Sequence, residues 1–489
     1  MLNRVFEETF RSAGPRTALV FGDDRYTYGQ LEDQVAHWAA ALKRLGVTGD
    51  MGVALVLKNC PLFIFSYLAA SRLGAPAYLL DPGSKPGELM RIFSENDIAI
   101  AICEPSQRLS LEQVREETNQ RFVILVRDAG FESSVDHLGE PPAELIYDSE
   151  AAIVQYTSGT TGIPKCIVRS HRNLYCEAAN FNETTGISAD DSILCTVPLF
   201  HSHGFGNALL AAMYAGATLV LMEEFNRAAV AEIVEHEGIT VFPAVPVMFE
   251  LLAQQGPNRH RRGTSLRLAF SAGAPLPAKV AREFKDGFGV YVRQLYGATE
   301  VGAVAINTDI DPQETLESVG LPLRNVRIDV LLESGEPVVP GERGEIAIQS
   351  AAMTLGYQGQ PELTERRFRQ GLFCPGDFGR KNDRGFLYLE GRTDWLILAS
   401  GKKVDLFEVE DVISKFAKVQ EVAVVGIPGY QGETVLKAVV VSREACREQE
   451  IIDYCRERMS DFKIPRRVEF VSELPRNGIG KVLRKHLVG

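Results

Sequence analysis

Apolar residues recur with a helical period in RYTYGQLEDQVAHWAAALKRLG, at Leu31, Val35, Trp38, Ala39, Leu42 and Leu45. The spacing predicts a helix behind a short strand. GVALVLKN then predicts a strand, PLFIFSYLAASRLG a helix ended by Gly74, and APAYLL a further strand. The unit returns through EAAIVQY, SILCTVPLF, ATLVLM, ITVFPAV, LRLAFSAG and VYVRQLYG. Strands alternating with helices predict a mostly parallel α/β sheet. From about Glu317 the texture changes. VRIDVLLESGEPVVPGERGEIAIQS alternates apolar and polar positions between Gly and Pro turns, as antiparallel hairpins do. After GRTDWLIL a small α+β set follows, with helices expected at VEDVISKF and EIIDYCRERMS and strands at VQEVAVVGI, LKAVVVS and RRVEFVSEL. A domain boundary is expected near Arg392–Trp395.

The chain has 489 residues, enough for at least two domains, with ordinary globular proportions of 45% hydrophobic and 24% charged residues. A net charge of −12 argues against nucleic acid or an anionic membrane as partner, since both call for a basic face. Eight cysteines, at 60, 103, 166, 176, 195, 374, 446 and 455, form no C-x-x-C, and the histidines lack metal spacing. Reduced core thiols fit better than structural zinc. MLNRVFEETFRSAG mixes acids and bases without an apolar core, unlike a signal peptide. The uncharged run Phe205–Met222 just reaches the length of a membrane span, but Gly206, Asn207 and Gly216 interrupt it. A buried helix followed by a buried strand is expected there, and no membrane span.

YTSGTTGIPKC, residues 156–166, concentrates glycine, hydroxyl residues and one lysine directly after an apolar strand. Free N–H groups, hydroxyls and an ammonium at a strand exit suit a phosphate cradle, although a surface turn has the same composition. It is not a Walker A loop, because Lys165 lies between Pro164 and Cys166. SAGAPL (271–276) and YGATE (296–300) also follow strands, and ligands in open α/β sheets sit beyond the carboxyl strand ends. YGATE offers a ring, a hydroxyl and a carboxylate; alone it could be a turn with a solvated Glu. Asp377 and Arg392 in GDFGRKNDRGFLYLEGRTD could meet ribose or phosphate, or be surface charges. Lys481 in PRNGIGKVLRKHL stands on a glycine-hinged loop or in a solvated tail.

In this order the pieces resemble the ANL superfamily of adenylate-forming enzymes, over nearly the whole chain from YTYGQL to GKVLRKHL. The resemblance implies an α/β fold with a large multi-sheet N-terminal domain, 1–393, and a small mobile α+β C-terminal domain, 394–489. It implies ATP, Mg2+ and either CoA or a carrier-protein phosphopantetheine. Thr157, Ser158, Gly159, Thr160, Thr161, Gly162 and Lys165 would hold the β- and γ-phosphates. Gly273 and Ala274 would line the adenine and Tyr296 would stack on it. Asp377 would bind the ribose beside Arg392. Thr299 would contact the α-phosphate, Glu300 the magnesium, and Lys481 would bridge carboxylate and α-phosphate. The hinge falls on Asp394, and rotation there would bring Gly401 to the thiol tunnel. Leu406 and Lys402 depart from the proline and glycine common in relatives.

PLFHSHGFGNALL carries His201 and Ser202 where amino-acid adenylating relatives place an Asp, so a buried substrate ammonium would lack its partner. By resemblance to acyl- and aryl-CoA ligases His201 gates the acid; it could also be a core histidine. The acid pocket is expected from His201, Phe205, Gly206, Ala244, Val245, Val247, Met248, Gly297 and Val301. None of these is charged, which implies a monocarboxylic acid with a neutral tail, aryl or short to medium acyl. Gly206 and Gly297 would leave slot-like space. CoA is the expected acceptor. A stand-alone ligase loading a carrier protein or forming an amide is the alternative, and the expected location is the cytoplasm.

Overall fold

The computed structural model describes residues 2–127, 151–157, 164–254, 265–309, 311–392, 396–399, 402–429, 434–476 and 482–488. They fall into two compact units, Met1–Ile328 with Ile348–Phe373, and Asp329–Ala347 with Cys374–Gly489. The position expected for a domain boundary, 393/394, touches residues 393–395, which lie outside those described.

The first unit contains two sheets. One has nine strands in the order Leu321–Pro322, Gly302–Ile306, Val292–Ala298, Leu268–Ser271, Val241–Ala244, Ser192–Cys195, Thr218–Leu221, Thr17–Phe21 and Asp24–Thr27. Its six central strands, from Val292–Ala298 to Thr17–Phe21, are parallel. The other has six, in the order Val123–Val126, Ile98–Cys103, Gly52–Val56, Ala77–Leu79, Ala151–Thr157 and Lys165–Ser170, parallel except for the last. Every residue of Gly52–Val56 is buried, as a parallel strand covered on both faces must be. The helix Tyr28–Arg44 starts at a capping box: Gln30 N–H donates to Thr27 Oγ1 at 3.2 Å and Thr27 N–H to Gln30 Oε1 at 2.9 Å. The uncharged run 205–222 is the buried helix and strand expected. Its residues 205–210 form a π-helical turn, Ala211–Ala215 continue as α-helix to Gly216, and Thr218–Leu221 is a strand. Among the described residues no helix is long and apolar enough to cross a membrane.

In the second unit Val419–Pro428 pairs antiparallel with Thr434–Ser442, which pairs parallel with Arg467–Phe470. Helices Leu406–Ser414 and Glu448–Arg456 contribute Val409, Ile413, Ile451 and Cys455 to one core with Val424, Ala438 and Val440. The strands Asp377–Lys381 and Leu387–Arg392 form an antiparallel pair. All eight cysteines are unpaired; Cys176 and Cys446 are half-buried and the other six buried.

Candidate active site

The strands Ser192–Cys195, Val241–Ala244, Leu268–Ser271 and Val292–Ala298 are neighbours running the same way, so their carboxyl ends share one edge of the sheet. Each runs into predicted site residues: His201 to Gly206, Val245 to Met248, Gly273 with Ala274, and Tyr296 to Val301. Gly273 is exposed with φ +91°, a backbone that favours glycine, and Ala274 beside it is exposed. Two bonds stitch the rim. Ser202 Oγ lies 3.5 Å from Thr299 Oγ1, and His203 Nε2 lies 3.0 Å from the Ala244 carbonyl oxygen.

The histidines of this rim differ. Asn207 Nδ2 donates to His203 Nδ1 at 2.9 Å, which leaves the proton on Nε2 to donate to Ala244. His203 is thus fully engaged and structural. His201 Nε2 is buried with no hydrogen-bond partner among the described residues, and its ring packs 4.4 Å from that of Phe200. Burial, reinforced by His203, lowers the His201 imidazole to about 4. It is therefore neutral at pH 7, with one buried nitrogen unpaired among the described residues. The π-helical turn begins four residues later, and such turns gather at functional sites.

Thr157 and Lys165 are register partners that close the antiparallel hairpin bearing the glycine-rich loop. Ser158, Gly159, Thr160, Thr161 and Gly162 lie outside the described residues. Lys165 Nζ sits 5.2 Å from the centre of the Tyr357 ring. The Tyr357 hydroxyl donates to Glu300 Oε1 at 2.7 Å, and the Glu300 carbonyl accepts from Thr354 N–H at 2.8 Å. One tyrosine therefore ties the predicted phosphate lysine to the predicted metal carboxylate. The segment is pinned further, with Gln358 N–H on the Cys166 carbonyl and Gln360 Nε2 on that of Pro164, both at 3.0 Å. Sequence reasoning missed Tyr357; its only signal was an aromatic residue in the glycine-flanked LGYQGQ.

Within the second unit Asp377 and Arg392 are register partners, and Arg392 Nε lies 2.9 Å from Asp377 Oδ1. The structure brings this predicted couple together. Lys481, Asp394 and Gly401 lie outside the described residues. The chain on either side of 477–481 is anchored: Arg476 and Val482 form a β-bridge, Leu483 N–H donates to the Pro475 carbonyl at 2.7 Å, and Arg484 Nη2 meets both oxygens of Glu410 at 2.7 Å.

The sequence model of the AMP-binding enzyme family matches residues 6–358, and that of the AMP-binding enzyme C-terminal domain matches 408–481. The chain belongs to the adenylate-forming AMP-binding enzymes. It is similar to a feruloyl-CoA synthase of Amycolatopsis sp, 31% identical over 471 residues that cover 96% of this chain and 94% of the relative. Its fold is similar to ATP-bound MatB from Rhodopseudomonas palustris, with TM-score 0.90, 26% identity and coverage of 100% and 98%. It is also similar to the amide bond synthetase McbA from Marinactinospora thermotolerans, with TM-score 0.85, 26% identity and coverage of 100% and 99%.

Around the expected acid pocket this AMP-binding enzyme differs from the sequence expectation in one respect. A Cβ at Gly206 would overlap Glu177 Oε1, and one at Gly297 would overlap the Gly302 carbonyl oxygen. The slot-like spaces beside these glycines are filled by protein. Glu177, from the helix His171–Thr185, also abuts Gly302, so a buried carboxylate backs a wall that the sequence gave no reason to think charged. Phe205 and Val301 are buried, and the Phe205 ring meets Tyr67 edge-on with centres 4.8 Å apart. Ala244, Val245 and Met248 are buried and Val247 half-buried.

Proposed function

We propose that the enzyme activates a monocarboxylic acid with a neutral tail, aryl or short to medium acyl, as an acyl-adenylate and transfers the acyl group to the thiol of CoA. The observation that carries this reading is the single rim on which four neighbouring strand ends set His201, Val245, Gly273 and Thr299, with Tyr357 linking Lys165 to Glu300. In the first step a substrate carboxylate oxygen attacks the α-phosphorus of ATP and the bond to pyrophosphate breaks. Thr157 to Lys165 hold the departing β- and γ-phosphates and Thr299 the α-phosphate. Tyr296, Gly273 and Ala274 hold the adenine. Asp377 accepts from the ribose hydroxyls, its carboxylate steadied by Arg392. Lys481 offsets the charge that gathers between carboxylate and α-phosphate. The catalysis is positioning and charge stabilisation.

Mg2+ would neutralise the phosphates, with Glu300 supplying one oxygen. Among the described residues no group of three or more His, Cys, Asp or Glu forms a metal cage. A single carboxylate beside phosphate oxygens and water is the environment this ion favours. Neutral His201 gates the carboxylate end. Rotation at Asp394 then withdraws Lys481 and brings the segment of Gly401 to the site. The thiol attacks the acyl carbonyl and AMP leaves. Eight unpaired cysteines support a cytoplasmic location. The likeness to an amide bond synthetase supports a second reading with an amine as acceptor; a carrier-protein phosphopantetheine is the other alternative thiol.

The test is pyrophosphate release across benzoate-type acids, medium-chain fatty acids, dicarboxylic acids and amino acids, with and without CoA. Neutral-tailed monocarboxylic acids should release pyrophosphate and consume CoA. Preference for an amino acid or a dicarboxylic acid overturns the pocket reading; release without CoA consumption, followed by amide formation, favours the second reading. Lys481→Ala should lose adenylate formation and keep thiol transfer from a supplied acyl-adenylate. Equal loss of both overturns the domain alternation.

A further inference from the structure

The adenylation chemistry makes no use of the charge pair behind the pocket. Arg169 Nη1 lies 2.6 Å from Glu177 Oε2, and Arg169 Nη2 donates to the Ala352 carbonyl at 3.1 Å. Both side chains are 1% exposed. Three polar atoms here have no hydrogen-bond partner among the described residues: Glu177 Oε1, Arg169 Nε and the hydroxyl of Tyr67. Tyr67 is fully buried against Phe205, and burial above all holds its phenol protonated. An ion pair inside a protein is costly to desolvate, and an open carboxylate oxygen adds to that cost. The backbones of Gly206 and Gly302 lie directly on this carboxylate, and side chains there would collide with it. Both glycines adjoin expected pocket residues, Phe205 and Val301. Gly206 follows His201 by five residues, on the π-helical turn that begins at Phe205.

We propose that Glu177, held by Arg169, recognises the far end of the acid and that this end carries a hydroxyl. The proposal rests on the ligase reading above and names its substrate class, a hydroxylated monocarboxylic acid. The pair as a whole is neutral. A second substrate carboxylate would be repelled by Glu177 and an ammonium by Arg169. A hydroxyl donates to the open Oε1 and accepts from the open Nε–H, so it matches both. Glu177 acts on specificity and not on the reacting atoms.

The test measures kcat/KM for pyrophosphate release with matched acids: 4-hydroxybenzoate against benzoate, 4-hydroxyphenylacetate against phenylacetate, and 6-hydroxyhexanoate against hexanoate. In the wild type the hydroxylated member of at least one pair should be favoured by about 100-fold or more, because its analogue leaves the buried groups unpaired. The matching methyl ether, which cannot donate, should fare as poorly as the unhydroxylated acid. In Arg169→Met/Glu177→Leu the preference, read as the ratio of the two kcat/KM values within that one variant, should fall below about threefold. Equal use of both members of every pair by the wild type overturns the proposal, whether or not the variant folds. So does a preference that survives in the double variant, or a methyl ether as good as the hydroxyl. No pyrophosphate from any acid overturns instead the ligase reading beneath it.

Discussion

Two arginine–carboxylate pairs of similar length serve opposite situations. Arg392–Asp377, at 2.9 Å, has side chains 32% and 12% exposed; Arg169–Glu177, at 2.6 Å, has both at 1%. Water reaches the first, so its two side chains can part and re-form at lower cost. No solvent relaxes the second, so its charges answer only to one another and to whatever enters the pocket beside them. A pair that water reaches tolerates loss of a partner better than one sealed in the interior.

The sharpest way to break this contrast is to remove one buried partner. Arg169→Met should cost about 3–5 kcal/mol of stability by leaving Glu177 uncompensated, and Arg169→Met/Glu177→Leu should recover most of it. Urea unfolding measures both; equal instability of single and double variants would mean that the pair is not coupled. In the more exposed pair, Asp377→Asn should change stability by only about 1 kcal/mol.

The interior also refuses protons. Burial lowers the imidazoles of His171, His201 and His203 from 6.5 to about 4. Above pH 6.5 neither state binds these protons and stability is unaffected by them. As pH falls from 6.5 towards 4 the unfolded chain takes up protons that the folded chain does not, so stability must fall, by about 3 kcal/mol for each imidazole. Thermal unfolding against pH checks the sign; a melting temperature flat across this window would mean that the imidazoles are not held neutral.

Asp377→Ala should raise the KM for ATP by about 10- to 100-fold, the loss of one or two charged hydrogen bonds, with acid preference unchanged. A shift in acid preference instead would place Asp377 on the wrong substrate. The smallest effect is expected for Tyr357→Phe. Freed of the hydroxyl, Glu300 Oε1 becomes available, and the half-saturating magnesium concentration should fall by about two- to tenfold. A magnesium titration of pyrophosphate release decides it, and an unchanged midpoint would detach Tyr357 from the metal side.

What the sequence disclosed follows the same division. The parallel strands were legible because apolar runs such as GVALV and SILC have to be buried on both faces. Asp377 and Arg392 were singled out through the family resemblance, and the hairpin makes them register partners. Arg169 and Glu177 passed unnoticed in KCIVRSHRNLYCEAANF, where charges are common and desolvation is a tertiary property. One signal was present: Arg169 shares a strand face with Ile167, and an arginine on a buried face requires a counter-charge. Tyr357 was hidden for another reason. It lies nearly two hundred residues from Lys165 along the chain, and only folding sets its ring beside that lysine. The expected empty slots at Gly206 and Gly297 failed because a missing Cβ says nothing about what fills its place.

The unpaired cysteines bear on how such an enzyme coexists with a thiol co-substrate. Thiol–disulfide exchange needs an accessible thiolate. Burial pushes Cys60 and Cys455 up to about 11, and Cys103 and Cys195 up to about 12, so almost none of their sulfur is anionic at neutral pH. Only Cys176 and Cys446 are half-exposed, and burial raises their thiols as well. A protein so rich in sulfhydryls is therefore poorly set up to form mixed disulfides with oxidised CoA, and its own redox chemistry stays out of the way of the sulfur it is proposed to acylate.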